Sequence, residues 1–289
     1  MSIYYSYSKD DPELVEIKEY FKTENGIIFF RDMKGFTNTI NLLHKNGRDN
    51  LKTWEVEIGF ENSLRKFYED TVVAKSKTNE AFETDSWELV SDSFFASVVN
   101  KDGIYVVGDT IHKITYDIEY LITDGDFKKL EDLDNGLKSS GTVIEFNIIR
   151  QQGSDKDWAG WRTIKKSCPC GNCNLSAHLK AWNVSYAYYA SCGIRITGRK
   201  YDGKWKDDAM WWAKVDGCAR INSCIYTACS GYYTVCGNAE GTNKINVDKT
   251  LEYWVYPLSG GILFCDYVHA DYYYTDDGCY NQHWYQEFN

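Results

Sequence analysis

Ten cysteines lie between Cys168 and Cys279, and none stands before them. The tightest group is Cys168-Pro169-Cys170-Gly171-Asn172-Cys173 with His178 beyond, which places soft thiolates and an imidazole close enough for a zinc site. No second Cys-x-x-Cys follows, and Cys-x-Cys-x-x-Cys is not a standard structural zinc spacing. A loop pinned by disulfides is the simpler reading, and no metal or other cofactor is expected. Cys192, Cys218, Cys224, Cys229, Cys236, Cys265 and Cys279 follow at irregular intervals. Alternation puts Cys224 and Cys236 in strand-like surroundings that suit cross-strand bridges. An even number of cysteines confined to one half predicts five disulfides, whose connectivity spacing cannot supply. None begins a helix or has a fixed histidine partner, so none reads as a nucleophile.

His269-Ala270-Asp271 with Asp276 and Asp277 offers proton donors and acceptors. Hydrolysis also needs a nucleophile and orienting groups. The chain has no Gly-x-Ser-x-Gly, no His-Glu-x-x-His and no phosphate-cradling glycine loop. Asp276-Asp277-Gly278 is more simply a turn and His269 a strand residue. No catalytic residue is assigned, and an enzyme is the less favoured reading.

The aromatic residues Trp205, Trp211, Trp212, Tyr232, Tyr233, Tyr272, Tyr273 and Tyr274 are more informative. Neighbours on a strand point to opposite faces, so each pair should send one ring inward and one outward. Outward rings in a patch suit sugar stacking or a protein interface.

Composition divides the chain. Residues 1–150 hold 18 Lys and Arg against 28 Asp and Glu, and so carry the whole net charge of −10. Residues 151–289 balance at 14 and 14 and hold eight of the ten tryptophans and 15 of the 23 tyrosines. The contrast predicts two domains, 1–155 and 156–289, with a junction at Gln151-Gln152-Gly153-Ser154-Asp155. A pI of about 5.1 without a basic stripe argues against nucleic acid, because phosphate binding rests on Lys and Arg. No apolar run approaches the ~20 residues of a membrane span. The cysteines place the protein in an oxidising compartment, periplasmic, at the cell surface or extracellular. The opening Met1-Ser2-Ile3-Tyr4-Tyr5 lacks a charged-then-apolar export segment, so export would use a signal already removed or another route.

The elements follow from pattern. Ile27 to Phe30 after Asn25-Gly26 reads as a strand following a turn. Asp32 caps a helix with Phe36, Ile40 and Leu43 on one face. A second helix runs from about Asp49 with Leu51, Trp54, Ile58, Leu64, Phe67 and Tyr68 as its apolar positions, and Ser93–Val99 is a third. Ile104–Ile114 is a hairpin turning at Gly108-Asp109. Further on, the alternation around Leu179–Tyr186 and Ile194–Thr197 predicts strands. So do Ala209–Val215, Ile225–Val235, Leu251–Tyr256, Gly261–Val268 and Tyr272–Tyr274. The fold class is therefore α+β at the N-terminus followed by an all-β, antiparallel, sandwich-like domain with disulfides.

Leu51, Trp54, Glu55, Gly59 and Phe60, then the run Phe94 to Tyr105 and Val107 to Ile114, resemble a family of uncharacterised exported, often lipoprotein-type proteins of Bacteroidota. Trp182, Gly193, Thr197 to Lys200 and His269 to Tyr274 fall at comparable points, although ten cysteines exceed what the family leads one to expect. The resemblance implies export and the same two-part layout, and no activity. The expected function is a non-catalytic binding protein recognising glycan or a protein surface through the aromatic β domain. The alternative is a structural subunit of an extracellular or cell-surface assembly, with self-association through the β-prone arm Ile3-Tyr4-Tyr5-Ser6-Tyr7-Ser8. A secreted or injected effector or enzyme comes third.

Overall fold

The computed structural model describes the chain apart from residues 1–18, 77–88, 137–140, 151–160, 169–173, 202, 226–227, 230, 256–260, 277–278 and 289. The main division between its two compact units falls between Ile148 and Ile149, and residues 71–76 are grouped with the second. The junction expected at residues 151–155 lies outside the described residues, as does the arm at residues 3–8.

In the first unit, β1 (Phe21–Glu24) and β2 (Ile27–Phe30) are joined by Asn25-Gly26, both with positive φ, as a tight hairpin turn demands. The helix α1 (Met33–Asn46) starts where the Asp32 carboxylate accepts the Gly35 N–H at 2.8 Å, and buries Phe36, Ile40 and Leu43. The long helix expected from Asp49 is broken into a 3₁₀ turn (Arg48–Asn50), α2 (Leu51–Glu57) and α3 (Leu64–Ser76). Gly59, at φ 69°, turns the chain after α2, and Phe67 is 41% exposed rather than on the apolar face. The helix expected over Ser93–Val99 is a single turn, α4 (Ser93–Ala96), capped by Asp92.

The strands β3 (Ile104–Val107) and β4 (Thr110–Ile114) form the expected hairpin through Gly108 at φ 59°. Then come β5 (Ile118–Ile122), α5 (Phe127–Asp134) and β6 (Val143–Asn147). The sheet order is β1 to β6 in sequence, antiparallel except where β3 runs parallel to β2. Leu130 of α5 packs with Ile104, Val106 and Ile111. Phe36 of α1 and Phe95 of α4 meet Tyr105, so the sheet is covered by helical residues through both rows of alternate side chains.

The second unit consists of β7 (Ile149–Arg150), β8 (Trp161–Ser167), β9 (Leu175–Ser185), β10 (Tyr189–Tyr201), β11 (Trp205–Asp207), β12 (Met210–Ile225), β13 (Ala228–Cys229), β14 (Tyr233–Lys244), β15 (Asn246–Val255), β16 (Gly261–Asp276) and β17 (Cys279–Phe288). All ladders are antiparallel and form two sheets. In one, β9 and β10 are central, with β7 and β8 beside β9 and β11 and β15 beside β10. In the other, β12 and β16 are central, flanked by β13 and β14 on one side and β17 on the other. Leu179, Ala181, Ile194 and Ile196 of the first share a core with Ala213, Val215, Val268, Ala270 and Tyr272 of the second. Two strand expectations change. Gly261–Val268 and Tyr272–Tyr274 belong to one strand, and Ile225–Val235 spans the end of β12 and the start of β14.

Two disulfides are present among the described residues. Cys168, just after β8, bonds Cys279 at the start of β17 and so joins the two sheets. Cys218 bonds Cys236 directly across the β12–β14 ladder, with Cα atoms 4.0 Å apart. Cys236 thus bridges to Cys218 and not to Cys224, which stands opposite Cys229 in the backbone register. Cys192 and Cys265 are buried and unbridged in this structure. Cys170, Cys173 and the side chains of Cys224 and Cys229 lie outside the described residues. No described helix is long and apolar enough to cross a membrane.

Candidate functional site

The outer face of the second sheet, turned away from the shared core, carries every second residue of three adjacent strands. β12 supplies Trp212, Lys214, Asp216, Cys218 and Arg220. β16 sets Thr275, Tyr273, Asp271, His269 and Tyr267 opposite them in that order. β17 adds His283 against Tyr273, Tyr285 against Asp271 and Glu287 against His269. The result is an array of rings with carboxylates between them.

Its rings are held in place by one another. His283 stacks on Tyr273 with centroids 4.7 Å apart and planes 11° from parallel, and Trp212 meets the same tyrosine at 6.4 Å. The Lys214 ammonium lies 5.6 Å from the Tyr273 centroid and 3.1 Å from Asp216 Oδ2. Its hydrogen bond to Asp216 holds the Lys214 pKa above the ordinary lysine value. His283 Nε2 is 2.6 Å from Asp271 Oδ1. Asp216 and Asp271 stand directly across the ladder, and each carboxylate has its own cationic or imidazole neighbour. At the other end, the Tyr285 hydroxyl donates to Glu287 Oε1 at 2.7 Å. Bonds from Tyr285 and then Tyr267 hold the Glu287 carboxyl below the usual range, while the Tyr267 contact and then Glu287 push the Tyr285 hydroxyl up. The exposed disulfide Cys218–Cys236 braces this face beside His269.

The aromatic residues singled out from sequence divide four ways. Tyr273 and Trp212 belong to the array. Tyr272 and Tyr274 are fully buried in the core, and Tyr233 packs against it, so these three do not belong to a recognition surface. The physical reason is phase: residues 272 and 274 share the parity of Val268 and Ala270, which face the first sheet. Tyr232 is 60% exposed with the Arg220 guanidinium over its ring at 5.1 Å. Trp205 pairs with Tyr201 at 5.5 Å, and Trp211, 48% exposed, pairs with Tyr280 at 6.1 Å. Neither Trp211 nor Trp212 enters the core, where Met210 and Ala213 stand instead. The one-in, one-out expectation therefore fails for this pair. His269, Asp271, His283, Tyr285, Glu287 and Tyr267 were not in the aromatic set read from sequence. Their period-two spacing at 267–273 and 283–287 was the available signal.

Other polar groups form buried networks. His178 accepts a hydrogen bond at Nε2 from Arg199 Nη1 at 3.0 Å and Cys168 is bonded to Cys279, while Cys170 and Cys173 of the grouping considered for zinc lie outside the described residues. Among the described residues no group of three or more His, Cys, Asp or Glu is placed to hold a metal ion. Arg199 also meets Asp207 at 3.2 Å, and the Arg195 guanidinium lies 5.6 Å from the Trp182 ring, all buried. In the first unit, Glu119 Oε1 accepts from the Tyr105 hydroxyl at 2.8 Å and lies 2.8 Å from His112 Nδ1, with His112 and Glu119 wholly enclosed. These networks are buried. The outer face of β12, β16 and β17 is the candidate site.

No protein-family model matches the chain. No curated protein matches it either. Among solved structures, the chain is similar to a DUF4848 family protein from Bacteroides thetaiotaomicron, at 11% identity over 92% of this chain and 98% of that one, with a TM-score of 0.26. A likeness that loose carries no argument about fold or function.

Proposed function

We propose that the chain is an exported, non-catalytic binding protein whose sandwich-like C-terminal domain recognises glycan through the outer face of β12, β16 and β17. The observation that supports this is the array itself: Trp212, Tyr273, His283 and Tyr285 in one continuous register, interleaved with Asp216, Asp271 and Glu287. Rings offer apolar faces to the C–H face of a sugar, and carboxylates and imidazoles accept or donate to its hydroxyls. Cross-strand packing fixes these side chains beforehand, which lowers the ordering cost of binding. Export is supported by two disulfides in one unit. Screening the full chain against a glycan array, then titrating the best ligand into Trp212→Ala and Tyr285→Ala, tests the reading. Each substitution should weaken binding about fivefold or more, corresponding to ~1 kcal/mol. Binding to no glycan, or binding untouched by both changes, removes it.

The second reading, a subunit of an assembly, is favoured by β17. Among the described residues this ten-residue strand pairs only with β16, and it contains neither Lys nor Pro to guard its open edge. The arm at residues 3–8 has the composition to add to such an edge. Deleting residues 1–9 should abolish oligomers if assembly is the function and leave glycan binding intact if it is not.

A further inference from the structure

Two thiols face each other inside the second unit. Cys192 of β10 and Cys265 of β16 are buried in the core the two sheets share, where the two thiols are neighbours, and Cys265 Sγ also donates to the Tyr267 carbonyl oxygen at 3.8 Å. Cys265 reaches that position through an irregularity. The core positions of β16 are Val268, Ala270, Tyr272 and Tyr274, so strict alternation would put Cys265 on the outer face with Tyr267 and His269. The pairing of β16 with β12 shifts by one residue where Arg220 meets Tyr267 and Ile221 meets Cys265. That bulge reverses the phase and turns the thiol inward. Cys192 keeps the phase of Ala190 and Ile194 and meets it from the other sheet.

We propose that Cys192 and Cys265 are disulfide partners, closing a second covalent link between the two sheets. The existing link, Cys168–Cys279, sits where Cys279 pairs with Asp276 at one end of β16. Cys265 lies toward the other end, roughly 35 Å away at about 3.3 Å per residue. The core would then be stapled at both ends. The same unit already holds two disulfides, so it matures where such bonds form.

The oxidant required is itself a disulfide, either a small molecule or a carrier protein. One thiolate of the pair attacks it, forming a mixed disulfide and releasing one thiol. The other thiolate attacks the protein sulfur of that mixed disulfide and releases the second thiol. One S–S bond forms, one breaks, and the two protons pass to the released sulfurs. Contact with Cys265, then burial, pushes the Cys192 thiol well up, so little thiolate exists in the closed fold. This inference does not depend on the ligand proposed above.

The test refolds the reduced full chain in a graded glutathione redox buffer, quenches with iodoacetamide and digests without reductant. The expected product is a peptide pair joined through Cys192 and Cys265, lighter by two hydrogens than its two thiol forms. Recovery of both residues as alkylated thiols, in buffers where Cys168–Cys279 and Cys218–Cys236 have closed, overturns the proposal. So does linkage of either residue to a different cysteine. A Cys192→Ser, Cys265→Ser double variant should lose this peptide pair and keep the other two. Should that variant not fold, the peptide map of the unaltered chain decides alone.

Discussion

Gly193 of β10 stands directly opposite Trp182 of β9, and the indole occupies the space a side chain at 193 would need. A Cβ there would also lie 2.5 Å from the Lys249 carbonyl oxygen, which is backbone and cannot swing aside. The indole is itself tied down, donating Nε1–H to Ser191 Oγ at 3.2 Å. Gly193→Ala should therefore lower stability by ~1–3 kcal/mol through overpacking, read from urea unfolding. A change within ~0.5 kcal/mol would mean that both the ring and the Lys249 backbone give way.

A buried ion pair organises the first unit. Arg65 Nε donates to Glu55 Oε1 at 2.8 Å, its Nη2 donates to Oε2, and the Ser63 hydroxyl donates to Oε1 at 2.6 Å. Arg65→Ala strands a carboxylate that is almost wholly enclosed, and should cost ~3–5 kcal/mol in denaturant unfolding. Replacing both partners, as Glu55→Leu with Arg65→Met, should recover most of that loss. Equal destabilisation in the single and double variants would show that the pair itself is stabilising.

Adjacent parities on the same sheet should separate stability from recognition. Tyr272→Ala empties a core position and should cost ~3–5 kcal/mol of stability. Tyr285→Ala, at a residue 50% exposed, should leave stability within ~0.5 kcal/mol and weaken glycan binding instead. Calorimetric titration beside thermal unfolding measures both. Loss of stability in the Tyr285 variant with binding unchanged would move the site elsewhere.

The Glu287 carboxyl is held low by the Tyr285 and Tyr267 hydroxyls, so in an NMR titration it should titrate below the ordinary glutamate value of about 4.3. A folded-state pKa below the unfolded one means its contribution to stability is present above the unfolded value. That contribution fades as pH falls through the folded value. Tyr285→Phe removes the largest cause and should move the titration upward. No movement would mean that hydroxyl does not set the carboxyl's acidity.

Much of the local structure was legible because its causes are local. Asp32 announces a helix start, Asn25-Gly26 and Gly108 announce turns, and alternation announces strands. The helix from Asp49 was read too long because Gly59, a single residue at φ 69°, outweighs an apolar pattern that continues on either side of it. The face of the candidate site was half legible. Period-two spacing groups residues 267, 269, 271 and 273 without telling which group faces the core.

By itself the sequence determined that a cysteine-free acidic segment precedes a neutral, aromatic, cysteine-rich β segment, and that strands there alternate. Tertiary structure alone decided the partners and the phase. Cys236 meets Cys218 rather than Cys224 because the β12–β14 register places them opposite, and register is set by pairing across a turn. Tyr272 and Tyr274 go inward, and Tyr273 outward, because the first sheet covers one face of β16. Cys265 reaches the core only because one residue is extra in its ladder with β12. Hydrogen bonds to strands far away in the chain fix these outcomes, and no local preference of the residues involved encodes them.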